Sequence, residues 1–245
     1  KDTKRADGTP VINPDIIEQE RLEGMEEALI QQEFYGSFEA QIAGAYFADQ
    51  IAAAKDQGRV TRLPIEPSLN VHTAWDLGIS DAMSIWLFQA IGKEIRLIGY
   101  YENNGKGMEH YIQWLNQYAS TNGVMLGQHL APHDIEVREL TSGRSRKDVA
   151  REMGISFRTV QRPRTKAEGI QAIRRMFPRF WFDQDKAEHG LNCIASYHRE
   201  FDEKRNVFRD TPVHDWASHG ADALQTLALG WQESMISGHR PQPRQ

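Results

Sequence analysis

A chain of 245 residues, with 40% hydrophobic residues and a net charge of −5, can form one sizeable domain with appendages or two small domains. No apolar run approaches the ~18 residues typical of a membrane helix, and the charged start does not resemble a signal peptide. The single cysteine, Cys193, excludes an internal disulfide and is typical of a reducing cytoplasm. We therefore expect a soluble protein with no membrane partner.

Residues 1–68 are predicted to be an extended and helical lead that ends in a linker. Gly58 is a typical C-terminal cap for a helix over residues 48–57. Pro64 and Pro67 then interrupt regular structure, which predicts a domain boundary near residue 68. Because the chain begins without methionine, we also expect it to be a piece of a longer protein.

The rest of the chain alternates strand and helix patterns. The predicted strands cover residues 71–78, 82–91, 94–101, 124–130 and 157–160. The predicted helices cover residues 108–119, 147–153, 167–176, 185–197 and 216–231. Residues 201–209 predict a strand pair, and residues 233–245 a flexible tail. This order predicts an α/β domain over residues 69–232, with a mixed central sheet and helices on both faces. It resembles the ribonuclease H-like fold.

Three aspartates occupy places from which their carboxylates can converge. Asp76 and Asp134 each end an apolar run, and Asp222 lies in the last predicted helix. Each alone could be a turn or capping residue, but three in this order favour a shared site. Oxygen ligands without nearby cysteine favour Mg²⁺ or Mn²⁺, and a pair of such ions commonly cuts phosphodiesters. We predict that Asp76 bridges two ions and that Asp134 and Asp222 complete one each.

Three further residues are candidates for the same site. Asp81 could approach it from the first hairpin, although an aspartate after serine is also an ordinary turn residue. His133 and His219 adjoin two of the aspartates and could orient water or phosphate, or simply pack. Asp215, directly before Trp216, is expected to be a helix N-cap instead.

A basic segment offsets the acidic balance of the chain. Residues 138–179 contain twelve lysines and arginines and four acidic residues. Arg144, Arg146 and Lys147, in a polar loop shortly after Asp134, are the predicted DNA contacts, although such a loop can also be merely solvated. Residues 148–162 resemble a helix-turn-helix, but Pro163 would interrupt its second helix, which makes that alternative the weaker one.

The motifs around the aspartates resemble the nuclease domain of phage large terminase subunits. They are Trp-Asp-Leu-Gly at 75–78, Ala-Pro-His-Asp at 131–134 and Ser-His-Gly-Ala-Asp-Ala at 218–223. Residues 32–38 and 44–47 look like the segment that joins the ATPase and nuclease domains of that family. The resemblance covers roughly residues 30–232. The chain contains no Gly-x-x-x-x-Gly-Lys-[Ser/Thr] loop, so it would be the nuclease half and not the ATP-driven motor.

The resemblance implies an endonuclease that uses two Mg²⁺ or Mn²⁺ ions to cut concatemeric viral DNA during packaging. Double-stranded DNA would be its substrate, and the portal and the small terminase subunit would be partners of the full-length protein. It would act in the host cell cytoplasm and transiently at the procapsid portal. The alternatives are a RuvC-like junction resolvase, a transposase-type nuclease, or a non-catalytic packaging module that binds DNA or the portal.

Overall fold

The structure, a computed structural model, describes residues 43–78, 82–138, 143–202 and 204–232. The strands in these ranges are β1 (Val60–Thr61), β2 (Val71–Asp76), β3 (Met83–Ile91), β4 (Glu94–Asn103), β5 (Leu126–Pro132), β6 (Phe157–Val160), β7 (Phe180–Asp183), β8 (Arg199–Asp202) and β9 (Val207–Pro212). The α-helices are α1 (Ala48–Asp56), α2 (Met108–Asn122), α3 (Arg146–Glu152), α4 (Lys166–Met176), α5 (Glu188–Ser196) and α6 (Trp216–Gly230). Short 3₁₀ turns cover His133–Glu136 and Phe177–Arg179.

Seven strands form one mixed sheet in the order β1-β7-β4-β3-β2-β5-β6. Strands β2, β3 and β4 are antiparallel neighbours. The β3–β4 pair is a hairpin formed by the predicted strands 82–91 and 94–101. Strand β5 lies parallel to β2, and β6 lies parallel to β5. Strands β8 and β9 form a separate hairpin, which confirms the predicted strand pair. The mixed α/β sheet predicted from the element order is therefore confirmed.

Helices cover both faces of this sheet. One core contains side chains of α1, α4, α5 and α6, such as Ile173, Ile194 and Leu224. Phe47, the residue before α1, belongs to the same core. The other contains side chains of α2 and α3, such as Ile112. Because both faces are covered, β3 is buried over almost its whole length and its sequence is apolar without strict alternation. The α4–α5–α6 face is the one that carries the candidate site.

Strand alternation decides which residues of β2 point toward that face. Ala74 belongs to the core on the α6 side and Trp75 to the opposite core. Since successive side chains point to opposite faces, Asp76 lies on the same side as Ala74. Leu130 and Ala131 of β5 divide between the two cores in the same way. The ends of β2 and β5 lie side by side because these strands are parallel neighbours.

The segment before residue 68 packs against the same core. Ile51 and Ala54 of α1 are buried in it, and β1 extends the sheet by pairing with β7. The Arg59 guanidinium donates hydrogen bonds to the carbonyls of Phe177 and Phe180, at 3.0 and 2.7 Å, and so ties this segment to the turn before β7. The boundary near residue 68 stays a prediction, but the fold already includes residues on its N-terminal side.

Strands β1 and β7 were not predicted, because a two-residue strand and a four-residue aromatic run carry little periodicity. The helix-turn-helix alternative is wrong, since Phe157–Val160 is a strand of the central sheet and not a recognition helix. Most predicted helix and strand bounds agree with the structure within about three residues. Among the described residues, no helix is long and apolar enough to cross a membrane.

Candidate active site

The three predicted aspartates line one cleft. Asp76 comes from the end of β2, Asp134 from the 3₁₀ turn after β5, and Asp222 from the middle of α6. The remaining lining residues come from β5, β6, α4, α6 and their adjoining turns: Pro132, His133, Val160, Gln161, Arg162, Pro163, Lys166, Gln225, Thr226 and Leu229. Asp76 and Asp134 are 58 positions apart in the sequence, and Asp134 and Asp222 are 88 positions apart. All three nevertheless meet at the carboxyl ends of parallel strands, where sites of open α/β sheets form.

Asp76 is held in an environment that opposes its negative charge. Burial and, to a lesser degree, the carboxylate of Asp222 raise the pKa of Asp76 to about 7. The backbone N–H of Leu77 and the ammonium of Lys166 act in the opposite direction, and Asp134 adds a smaller increase in the pKa. The negative charges of Asp222 and Asp134 thus oppose ionisation of Asp76, and a cation beside Asp76 would offset this effect.

Lys166 supplies part of that positive charge. Its Nζ donates hydrogen bonds to both carboxylate oxygens of Asp222, at 3.1 and 3.2 Å. Lys166 is the first residue of α4, and Thr165 caps this helix by accepting from Glu168 N. Close packing of α4 on α6 is permitted by Gly169, because a Cβ at this position would lie 1.8 Å from Gln225 Oε1. The ammonium is therefore positioned by a close contact between two helices.

His133 lies in the cleft and contacts its neighbouring aspartate. Its Nε2 is 3.0 Å from Asp134 Oδ1. Its Nδ1 is buried and has no hydrogen-bond partner within the described ranges. The imidazole is thus positioned to orient the Asp134 carboxylate. Its predicted role toward water or phosphate stays a prediction.

His219 lies one helical turn before Asp222, yet it does not line the aspartate cleft. Its Nδ1 is 3.3 Å from Glu102 Oε1, and its carbonyl accepts a hydrogen bond from Ser84 Oγ at 2.9 Å. Its role as a site residue stays a prediction. Asp81, another candidate, lies outside the described residues. Asp215 is confirmed as the N-cap of α6, since its side chain accepts from Ala217 N at 2.9 Å.

The predicted DNA contacts lie around the start of α3, and none of them lines the cleft. Arg144 forms an ion pair with Glu152. Lys147 donates to Glu136 Oε1 at 2.7 Å. Arg146 reaches the carbonyl of Gly78, two residues after the end of β2, at 3.5 Å. Their assignment as DNA contacts stays a prediction.

Two basic side chains inside the cleft were not predicted as site residues from the sequence. Arg162 and Lys166 line it together with the three aspartates. Both follow β6, which pairs in parallel with the strand that leads to Asp134. Their place in the cleft depends on this pairing, which the linear pattern of charges does not contain.

The side chains present fit a hard divalent cation. Three carboxylates converge from three elements, and no sulfur atom lies in the cleft lining among the described residues. Mg²⁺ and Mn²⁺ prefer such oxygen ligands, and Mg²⁺ retains several waters, so three carboxylates suffice. The raised pKa of Asp76 is the expected result of a buried carboxylate clustered with others.

Comparison with solved structures shows which fold this is. The large terminase of a thermophilic bacteriophage superposes with a TM-score of 0.56 at 16% identity, covering 91% of this chain and 53% of the terminase. The P22 large terminase nuclease domain gives a TM-score of 0.50 at 14% identity, covering 70% of this chain and 87% of that domain. The large terminase nuclease of thermophilic phage G20c with bound magnesium gives a TM-score of 0.50 at 12% identity, covering 78% of this chain and 100% of that nuclease.

These similarities confirm the predicted resemblance at the level of the fold: the chain has the ribonuclease H-like fold of large terminase nuclease domains. It spans about half of the length of the first of these terminases. No protein-family model matches the sequence, and no curated protein matches it either.

Proposed function

We propose that this chain is the nuclease domain of a phage large terminase, an endonuclease that depends on Mg²⁺ or Mn²⁺ and cuts concatemeric viral DNA during packaging. The observation that carries the proposal is the convergence of Asp76, Asp134 and Asp222 on one cleft at the carboxyl end of the sheet. The shared fold with terminase nucleases, one of them described with bound magnesium, supports it.

In this proposal Asp76 would hold both ions, and Asp134 and Asp222 would hold one each. Asp76 suits the bridging position because it belongs to a central strand with neighbours on both sides. When bound, the two ions would lower the pKa of an attacking water and neutralise charge on the leaving oxygen. The residues of the chain would fix the positions of both reacting groups.

The remaining cleft residues would position the DNA. Arg162 and Lys166 line the same cleft as the aspartates, so a phosphate approaching the carboxylates would meet positive charge. His133 would keep the Asp134 carboxylate in one orientation through the 3.0 Å contact. Arg146, near the end of β2, would extend the positive surface beyond the cleft.

The biological setting follows from the proposed activity. The chain would work in the host cell cytoplasm and, as part of a full-length terminase, transiently at the procapsid portal. Double-stranded DNA would be its substrate, and the portal and the small terminase subunit would be its protein partners. Junction resolution, transposition and non-catalytic DNA or portal binding are the competing functions, and cleavage experiments separate them.

The test is cleavage of supercoiled plasmid by the purified chain in Mg²⁺, in Mn²⁺ and in EDTA. We expect nicking and linearisation that need a divalent ion and are lost in Asp76→Asn and Asp222→Asn. Asp185→Asn is the matched control, because Asp185 pairs with Arg62 on the surface, outside the cleft. The control should cut like the wild type.

Other outcomes would replace the proposal. Cleavage that survives both cleft substitutions would place the catalytic site elsewhere. A strong preference for four-way junctions over linear duplex would favour a resolvase, and strand transfer would favour a transposase. DNA binding that is identical with and without metal, in a folded protein that never cuts, would favour the non-catalytic packaging module.

A further inference from the structure

A second cluster of metal-ligating side chains lies outside the aspartate cleft. It consists of Glu102 near the end of β4 and of His189 and Cys193 on α5. One ligand atom from each lies within 4.8 Å of the other two. His189 and Cys193 are four residues apart, so they lie on the same face of α5, one turn from each other. This spacing lets one helix present two ligands to one ion.

Helix packing fixes the position of Cys193. Gly220 of α6 faces it, and a Cβ on that glycine would lie 2.6 Å from Cys193 Cβ. Gly190 likewise allows α5 to approach β3 and β4, since a Cβ there would lie 2.4 Å from the Trp86 ring. Within the described ranges, the sulfur lies 3.8 Å from Trp216 O and 3.9 Å from Tyr100 Oη. Both contacts are too long to be strong hydrogen bonds.

Neighbouring side chains orient the other two ligands. The Tyr100 hydroxyl donates to Glu102 Oε2, and His219 contacts the other carboxylate oxygen at 3.3 Å. The His189 ring stacks on Trp216, with 6.1 Å between ring centroids, and its Nε2 is 3.7 Å from Glu102 Oε2. Such outer contacts are what normally hold metal ligands in place.

The chemistry of this cluster differs from that of the aspartate cleft. A thiolate, an imidazole and a carboxylate together favour Zn²⁺ and similar transition metal ions, whereas Mg²⁺ prefers oxygen ligands alone. Ligand distances of about 2.0–2.3 Å in tetrahedral sites place neighbouring ligand atoms roughly 3.3–3.8 Å apart. An oxygen and a nitrogen ligand belong at the short end of this range, roughly 3.3–3.6 Å. Glu102 Oε2 and His189 Nε2 are 3.7 Å apart, which a small turn of the exposed His189 ring would shorten.

The cluster is also open to solvent on one side. Glu102 and His189 line a surface depression together with Ala82, Tyr100 and Asn103. The His189 side chain is exposed, so its ring can turn toward an entering ion without disturbing the core. Cys193, in contrast, is buried. An ion could enter from the depression and keep one position for water.

We propose that Glu102, His189 and Cys193 bind one transition metal ion of the Zn²⁺ class, at a site separate from the aspartate cleft. The ion would join the end of β4 to α5 beside the helix that carries Asp222. Binding would release the proton of the thiol, since the thiolate is the form that ligates metals. The site would stabilise the β4–α5–α6 junction whether or not the chain cuts DNA.

The test is titration of the reduced, EDTA-treated chain with Co²⁺, which reports thiolate ligation through a ligand-to-metal charge-transfer band in the near ultraviolet. We expect a band that saturates as Co²⁺ is added and disappears when Zn²⁺ is added. Zn²⁺ should also raise the melting temperature of the wild type. Cys193→Ala should lose the band and the rise in melting temperature.

Two further kinds of variant make the result decisive. His189→Ala changes an exposed residue and should fold normally, yet weaken Co²⁺ binding at least about tenfold, which is about 1.4 kcal/mol. Asp76→Asn and His110→Ala, which lie outside the cluster, should keep the band. The proposal would be overturned by the absence of a band in the folded, reduced wild type. A band of unchanged affinity in His189→Ala would overturn it as well.

Discussion

Lys166 donates hydrogen bonds to both carboxylate oxygens of Asp222, so the cation of one helix neutralises the acid of another inside the aspartate cleft. A divalent ion that binds Asp222 must compete with this ammonium for the same oxygens. The ion pair is partly exposed, since the side chains of Lys166 and Asp222 retain 49% and 24% of their accessible surface. Its contribution to stability is therefore small, and we expect its main effect to be on the affinity of the cleft for cations.

Replacing Lys166 by glutamine should tighten binding of Mn²⁺ to the DNA-free chain. The substitution removes a competing positive charge from Asp222, and we expect the dissociation constant to fall by up to about tenfold. Isothermal titration with Mn²⁺ measures it. Lys186→Gln is the matched control, because Lys186 is exposed and outside the cleft lining. Weaker Mn²⁺ binding in Lys166→Gln would mean that Lys166 orients Asp222 for the ion and does not compete with it.

The pKa of Asp76 predicts how the stability of the metal-free protein depends on pH. Its folded-state pKa of about 7 lies above the ordinary value of 3.8. Between these values the folded state binds more protons at this site than the unfolded state, so the Asp76 contribution destabilises the fold progressively as pH rises. Asp76→Asn should therefore stabilise the metal-free protein at pH 8, by up to about 4 kcal/mol, and change it little at pH 4.

Urea unfolding in EDTA at several pH values, on wild type and Asp76→Asn, measures this difference. The comparison of the two proteins is necessary because His72 and His129 also make stability depend on pH, in the direction opposite to Asp76. Burial lowers the pKa of each histidine to about 4, so these sites destabilise the fold as pH falls below about 6.5. Both histidines are present in both proteins, and their contribution cancels. A difference in unfolding free energy that does not grow from pH 4 to pH 8 would show that Asp76 is not protonated at neutral pH.

The helix that carries Asp222 begins at a side-chain cap, which gives a prediction about stability. Asp215 accepts a hydrogen bond from Ala217 N at 2.9 Å, so Asp215→Ala should cost about 1 kcal/mol of unfolding free energy. Asp210→Ala, at an exposed position on β9, is the matched control. Thermal unfolding of both variants measures the effect. Equal stability of the two would mean that the first turn of α6 is held by other contacts, such as the hydrogen bond from Ser218 Oγ to Asp215 O.

The sequence predicts most of the fold because hydrophobic periodicity reports which residues are buried. Strand β6 was predicted with correct ends, since Phe157 and Val160 are buried and a proline follows soon after. The aspartates could be identified because strand ends and a capped helix are both visible in the sequence. Lys166 and Glu102 could not be placed, since their positions depend on which strands are neighbours in the sheet. That order is decided by long-range packing and not by local pattern.

The last prediction concerns which basic residues meet DNA. Arg162 lines the cleft, whereas Arg144 is paired with Glu152 on α3. Under the proposed function, Arg162→Gln should weaken binding of a short duplex and lower the slope of log affinity against log salt by about 0.9, the value for one phosphate contact. Arg144→Gln should have a smaller effect, because its charge is already partly neutralised. Fluorescence anisotropy in Ca²⁺ at several salt concentrations, with Lys55→Gln as a control on α1, measures these slopes. A larger loss in Arg144→Gln than in Arg162→Gln would place the DNA over α3, in agreement with the contacts predicted from the sequence.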